Sequence, residues 1–364
     1  MKAAVLYELN RPFVVEEIDE PIPHEREVLV KIVAAGLCHT DLSAANGTIP
    51  VPLPIVLGHE GAGIVEAVGE RVTRLSPGDH VILTVFPYCG NCNYCLTGRQ
   101  YLCQTAASTF FSGIMVDGSR RLKRKDGKEL NHFFAQSSFA EFAVVHENTA
   151  VKIREDAPLD KVCILGCGAS TGIGSVLNTA RLQPGETLAV FGCGSVGLSG
   201  IMAAKVAGAG KIVAVDVVDK KLVLAKELGA THTVNSSKKD PVQEIKEITG
   251  LGTDYAVEYI GNTDVMAQAF DSTCPGGTTI IVGAGPFGSK LNIDNMTLLT
   301  PKTIMGCVEG SMRPQVDLPR YVEMFMDNKI PLGKIITHTF PLEEINEGFR
   351  LMKSGEMVKG VLIF

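Results

Sequence analysis

The sequence predicts an α/β protein in two parts, a β-rich part and a doubly wound parallel sheet. Three observations carry that expectation. The first 150 residues hold short, β-branched runs bounded by Gly, Pro and Asp. From about residue 169, apolar strands alternate with helical stretches, the order that builds a parallel sheet covered on both faces. A glycine turn, Gly192-Cys193-Gly194-Ser195-Val196-Gly197, stands where one such strand meets the next helix.

Residues 1–6 read as the first strand, and 28–33, 63–68 and 80–83 as further strands of the β-rich part. Residues 117–130 are charged and read as a solvated surface loop. In the second part strands are predicted at 187–191, 211–215, 233–234, 255–258 and 278–282, with helices at 198–207, 219–228 and 241–249. After about 310 the chain reads helix (318–327), extended stretch (335–340), helix (342–352) and a last apolar strand, 360–364, that can return to the first part. A second glycine cluster, Gly166 to Gly174, follows no long strand and precedes no placed acid, so it reads as a bend between domains.

Composition narrows the class. The chain has 364 residues, 45% hydrophobic and 20% charged, enough for two cores and ordinary for a globular enzyme. A net charge of -6 disfavours nonspecific nucleic-acid and anionic-membrane binding. No run of about 18 apolar residues occurs, and the early Glu8, Glu16 and Glu17 do not suit a signal peptide. The expectation is a cytoplasmic protein with reduced cysteines and neither a nucleic-acid nor a membrane partner.

The glycine turn at 192–197 has the context that gives GxGxxG its meaning. One glycine makes the turn, one lets backbone approach a pyrophosphate, and one allows tight helix–sheet packing. The helix start offers unpaired N–H groups to phosphate. Asp216 ends the next strand, where it would accept hydrogen bonds from ribose hydroxyls. A 2′-phosphate would be repelled there, and Val217-Val218 bring no arginine. NAD is therefore expected over NADP.

Four cysteines fall within fifteen residues, Cys89-x2-Cys92-x2-Cys95-x7-Cys103. Buried thiols on one helix face are the first alternative, and Gly90, Asn91, Asn93 and Gly98 oppose it. A disulfide knot is the second, and it suits small secreted domains. The spacing fits a closed four-thiolate zinc in a lobe at about 86–104, which stabilises the chain and does no chemistry. Cys38, His59 and Cys167 are further candidate ligands, but spacing alone does not join them. Cys163, Cys193, Cys274 and Cys307 read as core thiols.

With these residues in order, the chain resembles the zinc-dependent medium-chain alcohol dehydrogenases from end to end, and within them the bacterial aryl- and allylic-alcohol branch. The most specific stretch is Gly58-His59-Glu60-x2-Gly63-x5-Gly69; the four-cysteine lobe, the Cys38 segment, Gly166-Cys167-Gly168 and the GxGxxG fall in the family's order. The resemblance implies a GroES-like β-rich catalytic domain (1–168 and 309–364) with an inserted Rossmann doubly wound parallel-sheet domain (169–308), and an active site in the cleft between them. It implies two zinc ions per subunit. Cys38, His59 and Cys167 resemble the catalytic ligands, Glu60 an acid beside the metal, Asp41 the carboxylate that orients the histidine, and Thr40 the hydroxyl beside the substrate oxygen. His39 and Lys359 resemble pyrophosphate contacts, Thr171 a neighbour of the nicotinamide and Lys221 one of the adenosine ribose, beside Gly192, Gly194, Val196, Gly197 and Asp216. The implied reaction is reversible oxidation of a primary alcohol to an aldehyde by hydride transfer to NAD. Ser43 departs from the family, many members of which carry a proton-relaying histidine there.

For the substrate, residues 132–140 resemble bacterial aryl- and allylic-alcohol dehydrogenases, and Phe110, Phe133, Ile49 and Val85 are candidates for an apolar pocket. Residues 104–111 hold no cation and 46–52 no acid, which weakens the alternative of an S-(hydroxymethyl)glutathione (formaldehyde) dehydrogenase. A zinc-free quinone or enone reductase is the other alternative, opposed by seven candidate ligands. The expected assembly is a homodimer joined through the cofactor domains, with a tetramer as the variant.

Overall fold

Short, largely buried apolar strands set the first unit. In the computed structural model, which describes residues 1–286 and 288–364, this unit holds residues 1–168, 313–326 and 332–364. Its strands are Lys2–Leu6 (β1), Val14–Glu17 (β2), Glu27–Gly36 (β3), Ile55–Val56 (β4), Gly61–Val68 (β5), His80–Leu83 (β6), Phe142–His146 (β7) and Ala150–Lys152 (β8). β2, β1 and β4 form a three-stranded antiparallel sheet. β3 is apolar along nearly its whole length because it is the hub of a seven-stranded sheet: it pairs with both β5 and β7.

The second unit comprises residues 169–312 and 327–331. Its six strands, Thr187–Phe191 (β9), Lys211–Asp216 (β10), His232–Asn235 (β11), Thr253–Glu258 (β12), Thr273–Ile281 (β13) and Thr303–Gly306 (β14), lie in the order β11-β10-β9-β12-β13-β14, all parallel. This is the doubly wound arrangement, its order reversing at β9. Ala189, Phe191, Val213, Val215, Val234 and Ile245 lie in its core. The helix Thr263–Asp271, which the sequence pattern did not suggest, supplies Ala269 to that core. The chain then returns to the first unit, where His338–Pro341 (β15) and Gly360–Ile363 (β16) add to the β3 sheet.

Two expectations are corrected in part. The expected bend at 166–174 is confined to its start, where the helical stretches Leu159–Gly166 and Gly168–Ala180 meet at 63° about Cys167 and the first unit's opening segment ends; Gly168–Gly174 itself is helical and continues to Ala180. Its glycines serve close packing, since a Cβ on Gly172 would lie 2.0 Å from the Val196 carbonyl oxygen. Nor is 117–130 simply solvated. Arg121 is buried and bridges to Glu27 at 2.9 Å and Asp117 at 2.6 Å, anchoring the segment. Among the described residues, no single helix is long and apolar enough to cross a membrane.

Candidate functional site

The first cluster is built around a helix start. Cys38 sits at the N-cap of the helix His39–Ala45, directly after β3. Asp41, three residues on, reaches back so that its Oδ2 accepts from the Cys38 N–H at 3.1 Å. Its other oxygen accepts from the Gly58 N–H at 3.1 Å and lies 2.9 Å from Nδ1 of His59. Gly58 takes φ +94°, and a Cβ there would strike the Phe139 backbone at 2.5 Å, so only glycine lets the chain turn His59 inward. One buried carboxylate thus fixes two ligand candidates far apart in sequence. Burial opposes a charge on His59, but Asp41 and Cys38 together outweigh it and raise the imidazole pKa well above its usual value, making the ring a more basic donor.

Cys167 joins them after a 3₁₀ turn at Cys163–Gly166. The donor atoms of Cys38, His59, Glu60 and Cys167 all lie within 4.8 Å of one another. Nε2 of His59 is wholly buried and has no hydrogen-bond partner among the described residues. A buried ring nitrogen in that state, facing two sulfurs, fits a metal ion. The Cys167 sulfur, opposed by burial and helped by His59, draws the Cys38 thiol pKa well below its usual range, as a thiolate ligand requires. The Thr40 hydroxyl lies 3.7 Å from the Cys38 sulfur. His39 is exposed on the first turn and Ser43 is half-buried on the same helix.

Glu60 differs from the other three. Its Oε1 accepts from the Gly168 N–H at 3.1 Å, and its Oε2 pairs with the Lys359 ammonium at 2.5 Å. Burial pushes its pKa up to about 7 despite Lys359. A Cβ on Gly36 would fall 2.0 Å from Oε2, so that glycine makes room for the carboxylate. Lys359, expected at a pyrophosphate, is 3% exposed and stands in this cluster as the partner of Glu60. Burial opposes its charge, and Glu60 more than restores it, raising its pKa.

The second cluster is Cys89, Cys92, Cys95 and Cys103. Sulfur–sulfur separations are 3.9 Å (89–95), 3.6 Å (92–95), 4.0 Å (92–103) and 3.7 Å (89–103). A tetrahedron with Zn–S bonds of about 2.3 Å has edges of about 3.8 Å, so the four sulfurs are spaced for zinc and too far apart for disulfides. The Cys92 N–H donates to the Cys89 sulfur at 3.3 Å, and the Cys89 N–H to the Cys103 sulfur at the same distance. Against burial, the N–H groups of Asn91 and Cys92 bring Cys89 down to about 6, while burial pushes Cys95 up to about 12. A cation would be needed to hold all four as thiolates.

In the second unit the glycine turn is shaped as a phosphate cradle. Gly192 has φ +96°. A Cβ on Gly194 would meet nothing within 4 Å, and one on Gly197 would sit 1.9 Å from the Gly192 carbonyl oxygen. Gly194 is the N-cap of the helix Ser195–Val206 and offers no side-chain cap, so the first N–H groups remain available to an anion. Val196 is half-buried on that first turn. Asp216 closes β10 and accepts from the N–H groups of Cys193 (2.8 Å) and Val218 (2.9 Å). Each oxygen keeps a lone pair for a ribose hydroxyl. A groove of about 240 Å³, lined by Asp216, Lys221, Ser236, Ile260 and Gln268, opens beside it.

Thr171 is buried and donates to Glu309 at 3.2 Å. No sequence pattern singled out Glu309. Of the pocket candidates, Phe133 and Val85 are fully buried, while Phe110 and Ile49 are half-buried. Cys163, Cys193 and Cys307 are buried and Cys274 is half-buried.

Comparison with known proteins decides the family. Residues 24–155 match the alcohol dehydrogenase GroES-like domain and residues 195–327 the zinc-binding dehydrogenase domain. The chain belongs to the zinc-dependent medium-chain alcohol dehydrogenase family. An alcohol dehydrogenase zinc-binding domain protein from Burkholderia ambifaria is 44% identical over 100% of this chain and 98% of its own, with a TM-score of 0.97. Benzyl alcohol dehydrogenase from Acinetobacter calcoaceticus is 41% identical over 100% and 99%, with a TM-score of 0.95. A zinc-binding dehydrogenase structure from Sinorhizobium meliloti 1021, bound to NADP, is 25% identical over 100% and 99%, with a TM-score of 0.83. Membership makes the chain an oxidoreductase with a GroES-like domain and a Rossmann-type domain.

Proposed function

We propose that this dehydrogenase interconverts primary aryl or allylic alcohols and their aldehydes with NAD, using one catalytic and one structural zinc per subunit. The observation that carries the reading is the orphaned, buried Nε2 of His59 facing Cys38 and Cys167. Cys38, His59 and Cys167 would hold the catalytic ion, and the four cysteines at 89–103 the structural one. When bound, the catalytic ion supplies Lewis acidity that favours the ionised alcohol, and NAD accepts the hydride.

The chain's own residues prepare that chemistry. Asp41 orients the imidazole and holds the Cys38 backbone. Thr40 places a hydroxyl beside the cluster, suited to take a hydrogen bond from the substrate alcohol. Phe133 and Phe134 pack on the His59 ring with centroids 5.6 and 4.9 Å away, and Phe110 lies 5.0 Å from Phe134. Phe134, Ala135 and Ser137 take left-handed φ values, so this aromatic wall is held in an unusual backbone. It keeps water from the ligands and favours a flat apolar substituent, consistent with the benzyl alcohol dehydrogenase likeness. NAD over NADP is supported by Asp216, the buried carboxylate that ends β10 and would repel a 2′-phosphate beside it.

The cytoplasm, where thiols stay reduced, is the inferred location. A homodimer through the second unit is also part of the proposal. β14 ends its sheet, and Met296, Leu298, Leu299, Met305 and Val308 expose apolar surface around it. Sedimentation as a monomer would refute that assembly.

The test is turnover of benzyl, cinnamyl, geranyl and hexyl alcohols with NAD and NADP, alongside metal analysis. Highest kcat/KM for the first three with NAD, and two zinc ions per chain, is expected. Strong preference for S-(hydroxymethyl)glutathione would replace the substrate reading, and a metal-free active enzyme would favour the reductase alternative.

A further inference from the structure

Strand order divides the dinucleotide between the halves of the second unit. The GxGxxG turn follows β9 and Asp216 ends β10, which assigns the adenosine half to the β9–β11 side. In a doubly wound sheet the other mononucleotide half then lies over the carboxyl ends of β12, β13 and β14. The residues that directly leave those ends, 259–262, 282–286 and 307–311, contain one carboxylate, Glu309; Asp294 lies farther along the loop between β13 and β14. Burial raises the pKa values of Tyr259 and Cys307 in the same loops, which keeps both neutral. Glu258 ends β12, but it is fully buried and its Oε1 is occupied by the N–H groups of Ile260 and Gly261.

Glu309 is held by a strained turn. Glu309, Gly310 and Ser311 take φ of 47°, 65° and 50°, three left-handed residues in succession. The helical stretch 168–180 locks them. The Gly310 carbonyl accepts from Asn178 Nδ2 at 3.2 Å, and Ser311 Oγ lies 2.8 Å from Thr179 Oγ1. A Cβ on Gly310 would strike the Ser170 carbonyl oxygen at 2.7 Å, and one on Gly174 the Gly310 oxygen at 2.3 Å. The Glu309 carboxylate accepts from Thr171 at 3.2 Å while the residue stays half-exposed. Strained backbone maintained by this many contacts at a strand's carboxyl end marks a functional position.

We propose that Glu309 sets the balance between oxidised and reduced cofactor. Its carboxylate stabilises the cationic oxidised nicotinamide over the neutral reduced ring, so NAD⁺ gains affinity that NADH does not. The inference rests on reading this unit as the dinucleotide site. A half-exposed charge interaction of this kind is worth about a three- to fivefold change in affinity. A fivefold change in that ratio lowers the potential of the bound two-electron couple by about 20 mV. Bound NADH becomes the stronger reductant, which favours the aldehyde-reducing direction.

The experiment compares dissociation constants for NAD⁺, NADH and ADP-ribose in wild-type, Glu309→Gln and Glu309→Asp proteins, by calorimetry and NADH fluorescence without substrate. Glutamine keeps the acceptor for Thr171 and removes the charge. The expected result is NAD⁺ weakened about three- to fivefold in Glu309→Gln with NADH and ADP-ribose unchanged, and a near-wild-type ratio in Glu309→Asp. An unchanged NAD⁺-to-NADH ratio with intact ADP-ribose binding overturns the proposal and leaves the dinucleotide site standing. Failure of wild-type protein to bind any of the three ligands overturns both.

Discussion

Asp41→Asn tests whether one carboxylate organises the catalytic ligands. Oδ1 of Asp41 accepts from Gly58 N–H and faces Nδ1 of His59, and Oδ2 accepts from Cys38 N–H. Asparagine can keep the Oδ1 contacts only by turning its NH₂ toward the Cys38 N–H, donor against donor. The flipped amide instead opposes His59 and Gly58. Either way at least one charge-assisted bond, worth about 1.5–3 kcal/mol, is lost, and an N–H left unsatisfied adds about 1–3 kcal/mol. The local loss is thus about 2.5–6 kcal/mol, some of it absorbed by relaxation. Changes in such a supporting group weaken metal binding by about 10–100-fold. The assay is zinc content after dialysis against a graded chelator. Wild-type protein should hold two ions, and Asp41→Asn should lose one of them at about 10–100-fold lower chelator strength. Equal retention of both ions by the variant would show that Asp41 does not hold the ligands in place.

Cys92→Ser should lose one zinc, keep the other, and lower the thermal midpoint by roughly 5–10 °C in calorimetry, because a structural site contributes folding energy directly. Asp216→Ala should narrow the NAD-over-NADP preference in kcat/KM by about tenfold, since a like charge near the 2′-phosphate is removed; steady-state rates with both cofactors decide it. His132 predicts an acid sensitivity outside the active site. Burial, with Arg121 and Arg120 adding to it, pushes its pKa from 6.5 down to about 3, and its Nε2 accepts from the Arg121 N–H at 3.0 Å. Below the unfolded value the unfolded chain takes up a proton here that the folded chain refuses, so stability falls as pH drops from about 6.5 toward about 3. Between pH 7 and 5 the loss is about 2 kcal/mol, and His132→Asn should lack it in urea unfolding at the two pH values.

What the sequence revealed depended on how local the signal was. The strand at 187–191 and the helices at 219–228 and 241–249 were legible because period, caps and flanking glycines agree within one segment. The helix Thr263–Asp271 was not, although Asn262 caps it with hydrogen bonds to Asp264 and Val265. The four cysteines at 89–103 announce themselves by spacing. Cys38, His59 and Cys167 do not, because their meeting depends on β3, the helix at 39–45 and the turn at 163–166 coming together; a family resemblance was needed to join them. Lys359 was linked to a pyrophosphate by the family resemblance. Its burial against Glu60 is a further, tertiary fact that a residue near the end of the chain cannot advertise. Glu309 lies in no motif, and only the strand order gives it a place.

The two candidate metal clusters differ in two donors, His59 and Glu60, and the second of these would separate a closed site from an open one. In the lobe all four donors are thiols at tetrahedral spacing, which leaves no face for another ligand. In the other cluster the fourth group is Glu60. It is near enough to reach an ion, yet its Oε1 accepts from the Gly168 N–H and its Oε2 stands in an ion pair with Lys359. A carboxylate neutralised from the protein side competes weakly for a cation, so in the proposed function the fourth position of a bound ion would be left to substrate. Openness would then follow from a buried ion pair and not from a missing residue. Without the Lys359 charge, Glu60 would stand buried and unpaired, a state that costs about 3–5 kcal/mol. It could relieve that cost only by protonation or by closing on the ion. On the proposed function, the Lys359–Glu60 pair would keep the catalytic centre from becoming a second structural one.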